Sequence, residues 1–201
     1  MKKWQAFFLI SFLAVVPLQA QIYHAGEENS AGTPRRNWVE ISAAGTRSFS
    51  TLQDCGNNKQ ISHQDAFSGR ALFLVTPNLG LGIEGTWFEE EKSIPFVPSY
   101  KVQRYGVVGK WTLTPDTAPK AYLLAGAGKT KRQLRYEFPL SEESKTNYYL
   151  AGVGLDVRVW HNFFVAAELA AVYNAHEKIG KFFHLKHRWE TEASLRAGVR
   201  F

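Results

Sequence analysis

The stretch Trp189 to Phe201 (W-E-T-E-A-S-L-R-A-G-V-R-F) alternates almost without error. Ala193, Leu195, Ala197, Val199 and Phe201 share one face, and Glu192, Ser194, Arg196, Gly198 and Arg200 the other. A period of two is the signature of a β-strand. The unlike chemistry of the two faces means that one side meets an apolar medium and the other a polar one. A last strand of this kind, ending on an aromatic, suits a sheet closed on itself whose outer face lies in hydrocarbon. There every backbone polar group must be paired within the protein.

Seven further segments of about ten residues precede it, the length that crosses a bilayer as a tilted strand. Asn37 to Ser50 sets Val39, Ile41 and Ala43 against Glu40, Ser42 and Ala44. Phe67 to Thr76 is apolar on both faces around Leu72-Phe73-Leu74-Val75, so its facing stays open. Leu79 to Glu89 places Leu79, Leu81, Ile83, Gly85 and Trp87 opposite Gly80, Gly82, Glu84 and Thr86. In Tyr100 to Leu113, Tyr105, Val107, Gly109, Trp111 and Leu113 face away from Arg104, Gly106, Val108, Lys110 and Thr112. Lys120 to Tyr136 is centred on Tyr122 to Gly128. Thr146 to Val159 and Phe163 to Asn174 alternate again, with Asp156, Arg158 and Glu168 on their polar faces. The connections run long, short, long, short, long, short, long. Short turns fall at Pro77-Asn78, Thr114 to Pro119 and Trp160-His161-Asn162; polar stretches of Thr51 to Asp65, Glu90 to Ser99, Glu137 to Lys145 and Ala175 to His187 fill the other ends. This predicts an all-β, eight-stranded antiparallel up-and-down transmembrane barrel, with both termini on one side.

Residues 1–20 read as a secretory signal peptide: Lys2 and Lys3, an apolar core from Phe7 to Val16, and Ala20 at the cleavage point. Residues 21–36 have no periodicity and predict a flexible N-terminal arm; the barrel is expected over 37–201. Without Lys2 and Lys3 the 24 basic residues become 22 against 18 acidic, or +4, a poor basis for nucleic-acid binding. Cys55 is the single cysteine, which excludes an internal disulfide and a cysteine-based zinc site; it reads as a loop residue.

Two features turn the apolar faces outward in this reading. Aromatics bracket them: Phe163 and Tyr173 share a face and lie about 25 Å apart along the membrane normal at a tilt near ~40°. Trp87, Tyr105, Trp111, Tyr149 and Trp189 complete the expected aromatic girdles. On the opposite faces Glu40, Glu84, Arg104, Lys110, Asp156, Arg158, Glu168 and Arg196 predict an ion-paired lumen, since buried charges must pair. Gly152, Gly154 and Gly198 are expected to make room for the long arginines.

The strand repeats Ala125-Gly-Ala-Gly128 and Ala151-Gly-Val-Gly154, the run Asn78-Leu-Gly-Leu-Gly-Ile-Glu84-Gly, and the terminal Arg196-Ala-Gly-Val-Arg-Phe201 together resemble the small outer-membrane barrels of the OmpA/OmpX type. The resemblance spans 37–201. It implies that Phe201 belongs to the signal read by the barrel-assembly machinery. No peptidoglycan-binding domain follows, so the anchoring role of longer members is not expected.

Motifs with chemical content are few. Gly128-Lys129-Thr130 imitates the end of a phosphate-binding loop without the helix it needs. Ser62-His63-Gln64-Asp65 gathers the residue types of a triad, but neighbours in an extended chain point apart. Lipid A deacylases of this architecture place a Ser two residues after a His; none of the six histidines has one, and His176-Glu177 with Glu168 is the nearest approach. Glu89-Glu90-Glu91 reads as a solvated charge run rather than a cation site. Lys129, Lys131, Arg132 and Arg135, and Lys178, Lys181, Lys186 and Arg188, are expected at the outer rim, where they would meet lipopolysaccharide phosphates; general solubility accounts for them about as well.

The function expected is a non-enzymatic outer-membrane protein, acting in envelope integrity or in surface interaction through its long loops. Its termini would be periplasmic, its partners outer-membrane lipids and lipopolysaccharide, its state a monomer, with no catalytic, cofactor or metal site. The alternatives are a lipid A-modifying enzyme, or a soluble exported barrel whose apolar faces point inward around a ligand.

Overall fold

The computed structural model describes residues 38–54, 59–61, 63–90, 97, 99–114, 118–137, 141–160, 162–176, 178–179 and 183–201. The expected signal peptide, the N-terminal arm, Cys55, Ser62, Glu91, His161, Glu177 and Lys181 lie outside them. In chain order the strands are β1 (Val39–Phe49), β2 (Leu52–Asp54), β3 (Lys59–Ile61), β4 (Gln64–Leu74), β5 (Leu79–Phe88), β6 (Ser99–Thr112), β7 (Lys120–Arg135), β8 (Ser141–Trp160), β9 (Phe163–Asn174), β10 (Phe183–Leu185) and β11 (Trp189–Arg200). Eight of them close an antiparallel barrel in the order β1-β11-β9-β8-β7-β6-β5-β4.

The ladder fixes the barrel's shape. Directly opposed residues can be followed from Trp189 through Tyr173, Tyr149, Ala127, Val107, Ile83, Ala71 and Ile41. The circuit returns to β11 at Val199, ten residues beyond its start. A shear of ten over eight strands, with about 3.3 Å per residue and about 4.8 Å between strands, tilts the strands by roughly 40°. The seam closes through the last residue: Phe201 N donates to Val39 O at 2.9 Å, and Val39 N to Phe201 O at 3.1 Å.

Outward residues form a continuous apolar surface. Ile83 is 64% exposed, Val107 62% and Leu169 54%. A soluble barrel around an apolar ligand would hide these residues, so that reading fails. The facing of β4, left open by its sequence, is settled: Phe67 and Phe73 point out, Arg70 and Leu72 in. Leu72, Val108, Tyr122, Leu124, Phe164 and Ala166 pack against one another inside the barrel.

Two stretches read as loops are structured. β8 begins at Ser141, and its first residues pair with Arg135 to Lys131, so the expected third long loop is the end of a tall hairpin. β10, β2 and β3 form a separate three-stranded sheet. Leu52, Val97, Ile179, Phe183 and Leu185 from the connecting segments then pack on Tyr100, Val102 and Leu134 of β6 and β7. This second apolar core caps the long-loop end of the barrel.

Candidate functional site

The interior holds its charges in three levels, set by strand parity. On β11 the inward residues Glu192, Arg196 and Arg200 are four apart, which spaces the levels about 10 Å along the axis. At the turn end, Lys110 Nζ lies 3.1 Å from Glu40 and 3.0 Å from Asp156, and Arg200 reaches the same two carboxylates at 2.9 and 2.6 Å. In the middle, Arg70 lies 3.0 Å from Glu84 and 2.7 Å from Glu168, and Arg196 meets the same pair at 2.7 and 3.2 Å. At the capped end, Arg104 pairs with Glu190 at 2.8 Å and with Glu192, while Arg132 joins Glu190 at 3.1 Å and Asn174 at 2.9 Å.

Each level contains two cations and two anions and is neutral. This is what low dielectric demands, because an unpaired buried charge costs several kcal/mol. Aromatic rings fill the remaining positions. Tyr122 donates its hydroxyl to Glu168 at 2.8 Å, and Lys110 Nζ sits 4.3 Å from its ring centroid. Arg200 lies 4.3 Å over Phe164. The gap between the middle and capped levels is about 20 Å³, lined by Arg70, Glu84, Arg104, Glu168 and Glu192 among others, room for a single water. The lumen is filled rather than open.

Of the residues nominated for the interior, Glu40, Glu84, Arg104, Lys110, Asp156, Glu168 and Arg196 lie in these levels. Arg158 does not: it is half-buried beyond Asp156, where the β8–β9 ladder slips between Arg158 and Trp160. Arg70, Arg132, Glu190, Glu192 and Arg200 complete the levels and were not nominated. Arg132 is a correction, since it is 2% exposed and cannot reach a surface phosphate. The parity Tyr122, Leu124, Thr130, Arg132, Leu134 would have placed it inside. The glycines are a second correction. A Cβ on Gly154 would lie 2.3 Å from Tyr122 Cζ, and one on Gly198 2.6 Å from Phe164, so they admit aromatic rings rather than arginines. On Gly152 it would lie 2.8 Å from the Leu169 carbonyl oxygen.

The nominated aromatics all point outward, in two belts. Tyr149 stacks on Tyr173 at 6.5 Å between centroids and Trp189 lies tilted against Tyr173 at 5.0 Å, with Tyr105 and Trp87 continuing the ring at the capped end. At the turn end Trp160 stacks on Phe163 at 6.0 Å, Trp38 on Phe73 at 6.0 Å, and Trp111 and Phe201 are exposed.

Among the described residues the candidate catalytic groups do not converge. Glu168 is taken up by Arg70, Arg196 and Tyr122 in the interior, whereas His176 is exposed beyond β9. Asp65 points out and binds Arg47 at 2.7 Å, while Gln64 points in. Gly128-Lys129-Thr130 lies within β7 as regular strand. Glu90 pairs with Lys101 at 3.7 Å.

Beyond the outer belt the surface of β6–β8 is basic. Glu143 lies 3.0 Å from Lys131 and 3.1 Å from Lys145. Hydrogen bonds from Gln133, Lys131 and Lys145 hold its carboxyl at about 2, so both lysines share one permanent negative charge. Lys129 is exposed beside them.

No protein-family model matches the chain. No curated protein matches its sequence either. Solved structures do match in shape. Neisserial surface protein A superposes with a TM-score of 0.62 at 15% identity, over 81% of this chain and 97% of that one. The N-terminal β-barrel domain of Pseudomonas aeruginosa OprF gives 0.56 at 18% identity, over 83% and 98%. Ail, the attachment invasion locus protein of Yersinia pestis, gives 0.53 at 16% identity, over 83% and 100%. The chain therefore has the fold of the small eight-stranded outer-membrane barrels of the OmpA/OmpX type.

Proposed function

We propose that this chain is a non-enzymatic integral outer-membrane protein, with a sealed barrel and a structured cap of loops at the cell surface. The observation that carries the proposal is the outward apolar band between two aromatic belts, wrapped around three neutral levels of ion pairs. A barrel so built gains nothing from water on its outside and offers no passage within. The role that fits it is envelope integrity or surface interaction through the cap. Both termini then lie in the periplasm, Phe201 serves recognition by the barrel-assembly machinery, and the basic outer rim meets lipopolysaccharide. The test is refolding into lipid followed by a detergent gel of boiled and unboiled samples. A folded transmembrane barrel migrates at a different apparent mass before boiling, and its band resists carbonate extraction from membranes. Identical migration and release by carbonate would overturn the proposal.

A further inference from the structure

Beyond the outer belt, Lys178, Lys186 and Arg188 are exposed on the last loop, and a second group of cations lies on β6–β8. On β6, β7 and β8 the outward residues include Lys101, Lys129, Lys131, Arg135 and Lys145, with Glu143 on the same face and Glu90 paired to Lys101. On the opposite side Arg47 is cancelled by Asp65.

The local register sharpens this. Lys131 and Lys145 are directly opposed across the β7–β8 ladder, an arrangement of like charges that destabilises a sheet. Glu143 offsets one of the two charges. Lys129, two residues nearer the membrane on the same face, has no acidic partner among the described residues. It stands opposite Tyr105 of the belt, and Tyr149 lies just below it on β8. The register sets the three lysines on neighbouring positions of one face, about 5–8 Å apart at the strand, next to the outward Tyr105, Tyr149, Ala127 and Val107.

Building on the outer-membrane reading, we propose that this face binds a phosphorylated glycolipid of the outer leaflet, with Lys129, Lys131 and Lys145 holding its phosphate monoesters and Tyr105 and Tyr149 lying along its acyl chains. A phosphate monoester carries close to two negative charges, and a phospholipid diester one, so a cluster of three lysines favours the former. Binding also removes the Lys131–Lys145 repulsion.

The test uses the refolded full chain in detergent with purified bisphosphorylated lipid A, read by native mass spectrometry and titration. K129Q/K131Q/K145Q should weaken binding by about tenfold or more, and the single K129Q by about threefold. K178Q/K186Q, which removes two cations from the last loop, should leave it within about twofold. Dephosphorylated lipid A and phosphatidylglycerol should bind the wild type weakly and the triple variant equally. A folded triple variant that keeps its affinity, or phosphatidylglycerol competing on equal terms, overturns the site alone. A wild type that gives no heat-modifiable species in lipid overturns the membrane reading, and the site with it.

Discussion

Arg70 and Arg196 each touch the same two carboxylates, Glu84 and Glu168, and this sharing sets what single substitutions cost. Arg70→Met leaves two buried carboxylates with one guanidinium. It should destabilise the barrel by about 3–5 kcal/mol in a urea titration in lipid. Lys101→Met breaks an ion pair whose lysine side chain is 53% exposed and should cost less than about 1 kcal/mol. Gly154→Ala tests the aromatic packing. Its Cβ would meet Tyr122, which is fixed by Glu168 and lies beneath Lys110, so a loss of about 1–3 kcal/mol is expected. Gly45→Ala, with nothing within 4 Å of the added Cβ, should stay within about 0.5 kcal/mol. Much of this interior was legible wherever the two faces of a strand differ. Glu84, Lys110 and Glu168 follow from alternation alone. Arg70 did not, because β4 is apolar on both faces near Leu72 and Phe73 and gives period two nothing to distinguish.

At the scale of elements, the long strands could be read because most repeat one pattern over ten residues or more, and β4 shows as an apolar run of strand length between a polar stretch and the Pro77-Asn78 turn. The cap could not. β2, β3 and β10 are three residues each, too short to show a period, and their apolar residues come from segments far apart in sequence. Arg132 is hidden from the sequence for the same reason: it follows the apolar run of β7, yet β7 carries its inward face past the belt to a mouth covered by Leu52, Phe183 and Leu185. The cap core shares no residue with the core inside the barrel and rests on the ends of β6 and β7, so it should open before the barrel does. Phe183→Ala should cost the cap about 3 kcal/mol. Hydrogen exchange at residues 183–185 would then quicken on the order of 100-fold, while the boiled and unboiled bands keep their separation. Loss of that separation in Phe183→Ala would show that cap and barrel are one cooperative unit.

For the whole molecule, three stacked neutral levels of shared ion pairs with aromatic rings packed between them predict a barrel closed to ions. Planar-bilayer recordings of the reconstituted chain should show no steady open state; a stable conductance would mean that the levels part more easily than their shared contacts imply. The claim beneath all of this is that hydrocarbon lies outside and charge within. Spin labels can test it directly. They would be placed one at a time at the outward positions Ile83, Val107 and Leu169, and at Gln133 beyond the outer belt, in a Cys55→Ser background in lipid vesicles. Labels at 83, 107 and 169 should collide freely with oxygen and be shielded from a water-soluble nickel chelate, with the reverse at 133. Labels at 83, 107 and 169 that meet the chelate as readily as the label at 133 would contradict the account.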